Sequence, residues 1–146
     1  MNNKHQKDIE MGNYYERKVL KWLNKNNYSQ NKLTFFKNPF NVMDMISQDR
    51  KNILELKSRR IFHDQFSDIM IGLNKIEEAI KHHHNFDYYL LFLCKDGLYK
   101  WKFAPNKKYD IRMGGRMDRG KDERKMCAFI PTKDLVCITT EINSIS

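Results

Sequence analysis

The stretch "NVMDMISQDRKNILELKSRR", residues 41–60, decides the fold. It reads as two apolar strands joined by a polar turn, yet Asp44 lies inside the first strand and Glu55 and Lys57 lie inside the second. With Asp49 and Arg50 at the tip of an antiparallel hairpin, Gln48 faces Lys51, Ile46 faces Ile53 and Asp44 faces Glu55. Directly opposed residues point to the same side, with Cβ atoms roughly 4.5–5.5 Å apart. Strand alternation adds Lys57 to that side. The other side carries Met43, Met45, Leu54 and Leu56. The hairpin therefore has one wholly apolar face and one face bearing two acids and a lysine, an arrangement that a one-residue slip in register would destroy.

Two carboxylates held this close repel, so either one takes up a proton or a cation lies between them. Lys57 supplies part of the compensating charge, but on one side only. A divalent ion is the more economical answer, and hard carboxylate oxygens completed by water suit Mg²⁺. The competing reading is a surface cross-strand ion cluster, which contributes little to stability. A second observation bears on the choice. Residues 8–26, "DIEMGNYYERKVLKWLNKN", carry helical periodicity. On the helical wheel Ile9, Val19, Leu20 and Leu23 fall within roughly 60° of Glu16. A glutamate in the stripe that packs on a sheet needs a partner. A metal site, a basic side chain at the sheet edge, or a local pair with Arg17 or Lys18 would each serve.

Outward from the hairpin, "LTFFKN" (33–38) predicts a strand closed by Pro39, and "SRRIFHDQF" (58–66) a loop or strand end. "SDIMIGLNKIEEAIKHHH" (67–84) predicts a second amphipathic helix, with Ser67 as N-cap and Ile69, Leu73, Ile76 and Ile80 along one side. "FDYYLLFLC" (86–94) and "LYKWKF" (98–103) read as strands joined by a tight turn. The tail holds two or three short strands around a basic, Gly-containing loop at about 111–125. The element order predicts one α/β (α+β) domain over residues 1–146: a sandwich with a mixed central sheet flanked by helices.

Asp44, ten intervening residues and then Glu55-Leu56-Lys57 resemble the PD-(D/E)xK nuclease signature. In that superfamily a helix-borne acid often precedes the pair, and Glu16 in "YYERKVLKWL" sits at the corresponding place. The run from that helix through "VMDMI" to "ILELKSRR" is similar to the opening of archaeal-type Holliday junction resolvases and of small phage or viral nucleases. Val-Met-Asp stands where the nominal motif has Pro-Asp. The resemblance spans roughly residues 10–103, a restriction-endonuclease-like α-β-β-β-α-β core and one further strand. It implies that Asp44, Glu55 and the Leu56 backbone carbonyl hold Mg²⁺, with Mn²⁺ as substitute. Glu16 would be an additional ligand, and Lys57 would orient and deprotonate the attacking water. The chemistry agrees, since a bound metal polarises phosphoryl oxygens and acidifies its water.

The rest of the sequence adds partners. A net charge of +9 over 146 residues favours a polyanion, nucleic acid ahead of anionic membrane, with simple solubility as the bland alternative. Arg59, Arg60 and their loop neighbours Ser58, His63 and Gln65 follow the Glu55 strand directly and are candidate phosphate contacts, as is Lys75 early in the second helix. For Lys75 a plain solvated lysine competes. Arg112, Arg116, Arg119, Lys121, Arg124 and Lys125 lie among glycines, which fits a DNA-backbone arm or a solvated connector. His82, His83 and His84 diverge by about 100° each on a helix and cannot share one ion there. Cys94, Cys127 and Cys137 are odd in number and lack CxxC spacing, against a disulfide framework; Cys94 and Cys137 sit in apolar runs and read as buried thiols. No apolar signal core or transmembrane run is present, which points to an intracellular protein. The reading that results is a Mg²⁺-dependent DNA endonuclease, resolvase-like and homodimeric because two strands need two sites. Restriction-type or single-strand specificity, or a non-catalytic DNA-binding module on the same fold, are the alternatives.

Overall fold

Residues 41–60 form the predicted hairpin, and the rest of the chain is organised on it. The computed structural model describes residues 3–28, 31–38, 41–115 and 124–145. Helix α1 (Asn3–Lys25) leads into β1 (Leu33–Phe35), then the hairpin strands β2 (Met45–Ser47) and β3 (Asn52–Ser58). Met45 pairs with Leu54 and Ile46 with Ile53, the register expected from the apolar pattern. The turn is longer than a two-residue tip. The Ser47 carbonyl accepts from the Arg50 N–H at 2.9 Å, and Arg50 adopts a left-handed φ of 60°. Asp49 Oδ1 closes the turn by accepting from Ser47 Oγ and the Lys51 N–H. Gln48 and Lys51 thus lie outside the strands.

Beyond the hairpin the chain departs from the sequence reading. The segment expected to be one helix from Ser67 is β4 (Asp68–Gly72) followed by α2 (Leu73–His82). Ile69 and Ile71 are buried and alternate with partly exposed neighbours, a period of two that the helical template absorbs at Ile69 and Leu73 alone. Ile80 is 55% exposed, whereas Ile76 and Ala79 are the buried helix positions. Next come β5 (Asp87–Cys94), β6 (Gly97–Lys102), β7 (Asp110–Gly114), β8 (Lys125–Pro131) and β9 (Val136–Thr139). The ends of the proposed 111–125 loop are therefore paired strands, Gly114 opposite Lys125. Arg116, Arg119 and Lys121 lie outside the described residues.

The strands build two sheets. The larger runs β1-β2-β3-β5-β6-β9, with β3 and β5 parallel and every other neighbour antiparallel; the smaller runs β4-β8-β7. Parallel neighbours need a long crossover, and β4 with α2 supplies it between β3 and β5. The result is the mixed α/β architecture, two helices and a six-stranded mixed sheet, compatible with a restriction-endonuclease-like core. On one face, Val19 and Leu23 of α1 pack on Leu54, Leu56, Leu91 and Leu98. On the other, α2 and the small sheet bring Ile69, Ile71, Ile76, Ala128 and Ile130 onto Ile46, Ile53, Tyr88, Leu90 and Phe92. Each fully buried Val, Leu, Ile or Phe among them contributes about 1.5–3 kcal/mol. Met43 belongs to the second cluster rather than beside Met45, because the chain bends ahead of β2 and breaks the alternation. Among the cysteines, all free, Cys94 and Cys127 are buried and Cys137, on the edge strand β9, is exposed. No helix among the described residues is long and apolar enough to cross a membrane.

Candidate active site

Asp44 lies just ahead of β2, where the pairing with β3 ends at Met45 and Leu54. The Asp44 N–H still donates to the Leu54 carbonyl at 3.1 Å, and the Phe36 N–H donates to the Asp44 carbonyl at 3.0 Å. One step further along β3 the ladder changes character. The Leu56 N–H donates to Asp44 Oδ2 at 3.0 Å, so a carboxylate replaces the backbone carbonyl that a longer β2 would have offered. In an antiparallel ladder the N–H and C=O of one residue point the same way. The Leu56 carbonyl therefore faces the side on which Asp44 stands.

Glu55 is 2% exposed at the centre of the large sheet, flanked by Leu90 of β5. Its Oε1 lies 3.2 Å from Lys57 Nζ and 3.1 Å from Lys75 Nζ. Its Oε2 is buried without a hydrogen-bond partner among the described residues. Lys75 leaves the first turn of α2, also donates to the Val42 carbonyl, and is 14% exposed; Lys57 is 36% exposed. Glu16, half-buried on α1, completes the group electrostatically. Burial, then the charges of Asp44 and Glu55, push its carboxyl up to about 7, against the opposing pull of Lys57 and Lys75. Glu55 is likewise pushed up to about 7, by burial first; Lys57 and Lys75 draw it down and Asp44 raises it.

The donor set fits a hard divalent cation. Among the described residues one buried carboxylate oxygen has no partner, and burial together with nearby carboxylate charge raises Glu16 and Glu55. Among the described residues, the group of possible ligands that closes to within 4.8 Å is His63, Asp64 and Asp96, not the three acids around Glu55. An ion that keeps several waters can bridge the wider spacing. The His63 group is already satisfied internally. Asp96 Oδ1 accepts from the His63 N–H at 2.9 Å, Oδ2 lies 2.5 Å from His63 Nδ1 and accepts from the Tyr99 hydroxyl at 3.3 Å, and the imidazole stacks on Tyr99. It clasps the loop after β3 to the β5–β6 turn. The sequence offered His63 as a phosphate contact of the loop and not as the partner of Asp96, which lies 33 positions away.

Several assigned phosphate contacts fall elsewhere. Arg59 turns inward, donating to the Met70 carbonyl at 3.0 Å, and burial holds its guanidinium below the ordinary arginine range. The alternation of β3 explains this, since Arg59 follows Glu55 and Lys57 on the face covered by the small sheet, and its N–H still pairs with the Leu93 carbonyl. Arg112 bridges Asp68 at 2.9 Å and Asp110 at 2.8 Å and lies over the Phe129 ring. Lys75 joins the Glu55 cluster. Arg60 and Arg124 are exposed. His82 reaches toward Glu78 at 3.8 Å, and the His83 ring lies 4.0 Å from that of His84, tilted by 41°.

The sequence matches the family described as "Phage putative PDDEXK endonuclease" over residues 11–137, from the helix that carries Glu16 through β9. No curated protein matches it. With that match spanning most of its length, the chain belongs to the phage PD-(D/E)xK endonuclease family.

Proposed function

We propose that this chain is a Mg²⁺-dependent DNA endonuclease that acts on branched DNA as a homodimer. The observation that carries the reading is Glu55: a carboxylate sealed in the sheet with one oxygen shared by two ammonium groups and the other without a partner among the described residues. Such a group is costly unless it serves a ligand. Asp44, Glu55 and the Leu56 carbonyl would hold Mg²⁺, or Mn²⁺ in its place, with Glu16 as a further carboxylate. The bound ion would polarise the phosphoryl oxygens and acidify its water. Lys57, partly exposed and beside Glu55, would orient the attacking water and, in its neutral amine form, accept that water's proton, a role for which a lysine beside a cation is suited because the cation favours loss of the ammonium proton. Asp44, fixed by Leu56 and Phe36, keeps its carboxylate aligned without reorganisation. The net charge of +9 and the exposed Arg60 and Arg124 supply attraction to the phosphate backbone.

Four-way junction, linear duplex and single-stranded DNA, each incubated with and without Mg²⁺, test the reading. Incision of the junction alone, and only with Mg²⁺, is expected. Equal cutting of duplex would remove the structure selectivity, and no cutting of any substrate would overturn the endonuclease assignment for this chain.

A further inference from the structure

Two lysines on one carboxylate oxygen are more than a single catalytic amine requires. Lys57 and Lys75 approach Glu55 Oε1 at 3.2 and 3.1 Å from different elements. Their surroundings differ. Lys57 extends from the same strand as Glu55 and is 36% exposed, open to water and to a substrate phosphate. Lys75 is 14% exposed and is fixed at its tip by two acceptors, Glu55 Oε1 and the Val42 carbonyl. Val42 lies two residues ahead of Asp44, so the Lys75 ammonium ties the carboxylate of β3 to the bend that carries the other acid. Glu16, Asp44 and Glu55 bring three negative charges to this edge, and both lysines act on Glu16 as well as on Glu55. Without some cation between them, three carboxylates could not stay ionised together. With Mg²⁺ added and both ammonium groups kept, the same site would carry a net positive charge.

From this arrangement we propose that Lys75 is a built-in stand-in cation, which holds Glu55 and the Val42–Asp44 bend in place before metal arrives and gives up Glu55 when metal binds. The inference rests on the metal site proposed above. Metal and Lys75 compete for one carboxylate. The released ammonium, on the first turn of α2, is then free to face the phosphate being bound. Lys75 is thus a positioning residue whose charge lowers metal affinity in the free protein and protects the empty acid cluster from its own repulsion.

The test is calorimetric titration of the whole chain with Mg²⁺ alone, without DNA, alongside thermal melting with and without the metal. Lys75→Ala is expected to bind Mg²⁺ about tenfold more tightly, the effect of losing one net charge-assisted contact that competes for Glu55. It should melt lower than wild type in the absence of metal and recover when Mg²⁺ is added, while Lys75→Arg keeps wild-type affinity. Lys75→Met, which keeps the aliphatic stem, replaces Lys75→Ala if that variant fails to fold. Weaker or unchanged Mg²⁺ binding in the variants, with wild-type binding intact, overturns the stand-in role alone. No Mg²⁺ binding by wild type overturns the metal site itself and the stand-in role with it.

Discussion

Asp44 Oδ2 accepts the backbone N–H of Leu56 at 3.0 Å, so a side chain of one hairpin strand closes the ladder of the other between Glu55 and Lys57. The bond makes the position of this acid a property of the fold. It also separates two consequences of changing Asp44. Asp44→Asn keeps an oxygen that can accept from Leu56 and removes a charge that repels Glu16 and Glu55. It should melt no lower than wild type without metal, yet lose cleavage by about 10²-fold or more, as expected for a lost metal ligand. Asp44→Ala leaves the Leu56 N–H unpaired and should cost about 1–3 kcal/mol of stability as well. Denaturant titration of both variants beside a cleavage assay separates the two effects.

Glu16 and Glu55 give the metal-free protein an unusual pH dependence. Both carboxyls stand at about 7 in the fold, against 4.5 for an ordinary glutamate. Between those values the folded state binds more protons than the unfolded chain, so stability falls as pH rises and levels off above about 7. The slope is at most about 1.4 kcal/mol per pH unit for each group, and less than twice that for the coupled pair. Carboxylates held low, such as Asp49 and Asp96, act in the opposite sense but below the ordinary aspartate value of 3.8, outside this window. Melting in chelator from pH 5 to 8 should therefore show a falling midpoint in wild type and a flatter curve in Glu55→Gln. Parallel curves would contradict the raised, buried carboxyl of Glu55.

Arg59 is a structural residue on this account. Its guanidinium holds the Met70 carbonyl across from β3 to β4, joining the two sheets. Arg59→Met should lower stability by about 1–3 kcal/mol through the orphaned carbonyl and lost contact, while the salt dependence of DNA binding by the folded protein stays unchanged. Arg60→Ala should do the reverse, leaving stability nearly intact and reducing the slope of log affinity against log salt by about one unit. Unfolding curves and salt-titrated binding, run on both variants, check the contrast.

The pairing of His63 with Asp96 holds the loop after β3 against the β5–β6 turn. A double-mutant cycle with His63→Ala and Asp96→Ala should return a coupling of about 0.5–3 kcal/mol from the imidazole–carboxylate bond, since the bond from the His63 backbone N–H survives His63→Ala. Additive single effects would mean that the clasp does not hold the loop.

The hairpin was readable because its information is local: alternation set the pairing of Ile46 with Ile53, and the strand pairing that follows ends at Met45, so Asp44 meets β3 through the Leu56 N–H rather than as a ladder partner of Glu55. The same local reading failed at residues 68–72. Ile69 and Leu73 fit a helical stripe as well as Ile69 and Ile71 fit a strand, and the partner that decides, β8, lies about 60 residues further on. Lys75 shows the limit more sharply. Nothing in "GLNKIEE" marks one lysine for Glu55, since the contact exists only because the crossover through β4 returns α2 over β3. Arg59 was within reach, as it continues the parity of Glu55 and Lys57 into the face that must be covered.

The assignment of DNA cleavage to the acids around Glu55 and the amine of Lys57 turns on one paired measurement. Wild type and Lys57→Ala are compared for binding to a four-way junction and for its Mg²⁺-dependent incision. Comparable binding is expected, with incision reduced by about 10²–10⁴-fold in the variant, the range for loss of a positioned general base. Undiminished incision by Lys57→Ala, or junction binding by wild type with no incision in Mg²⁺, would contradict it.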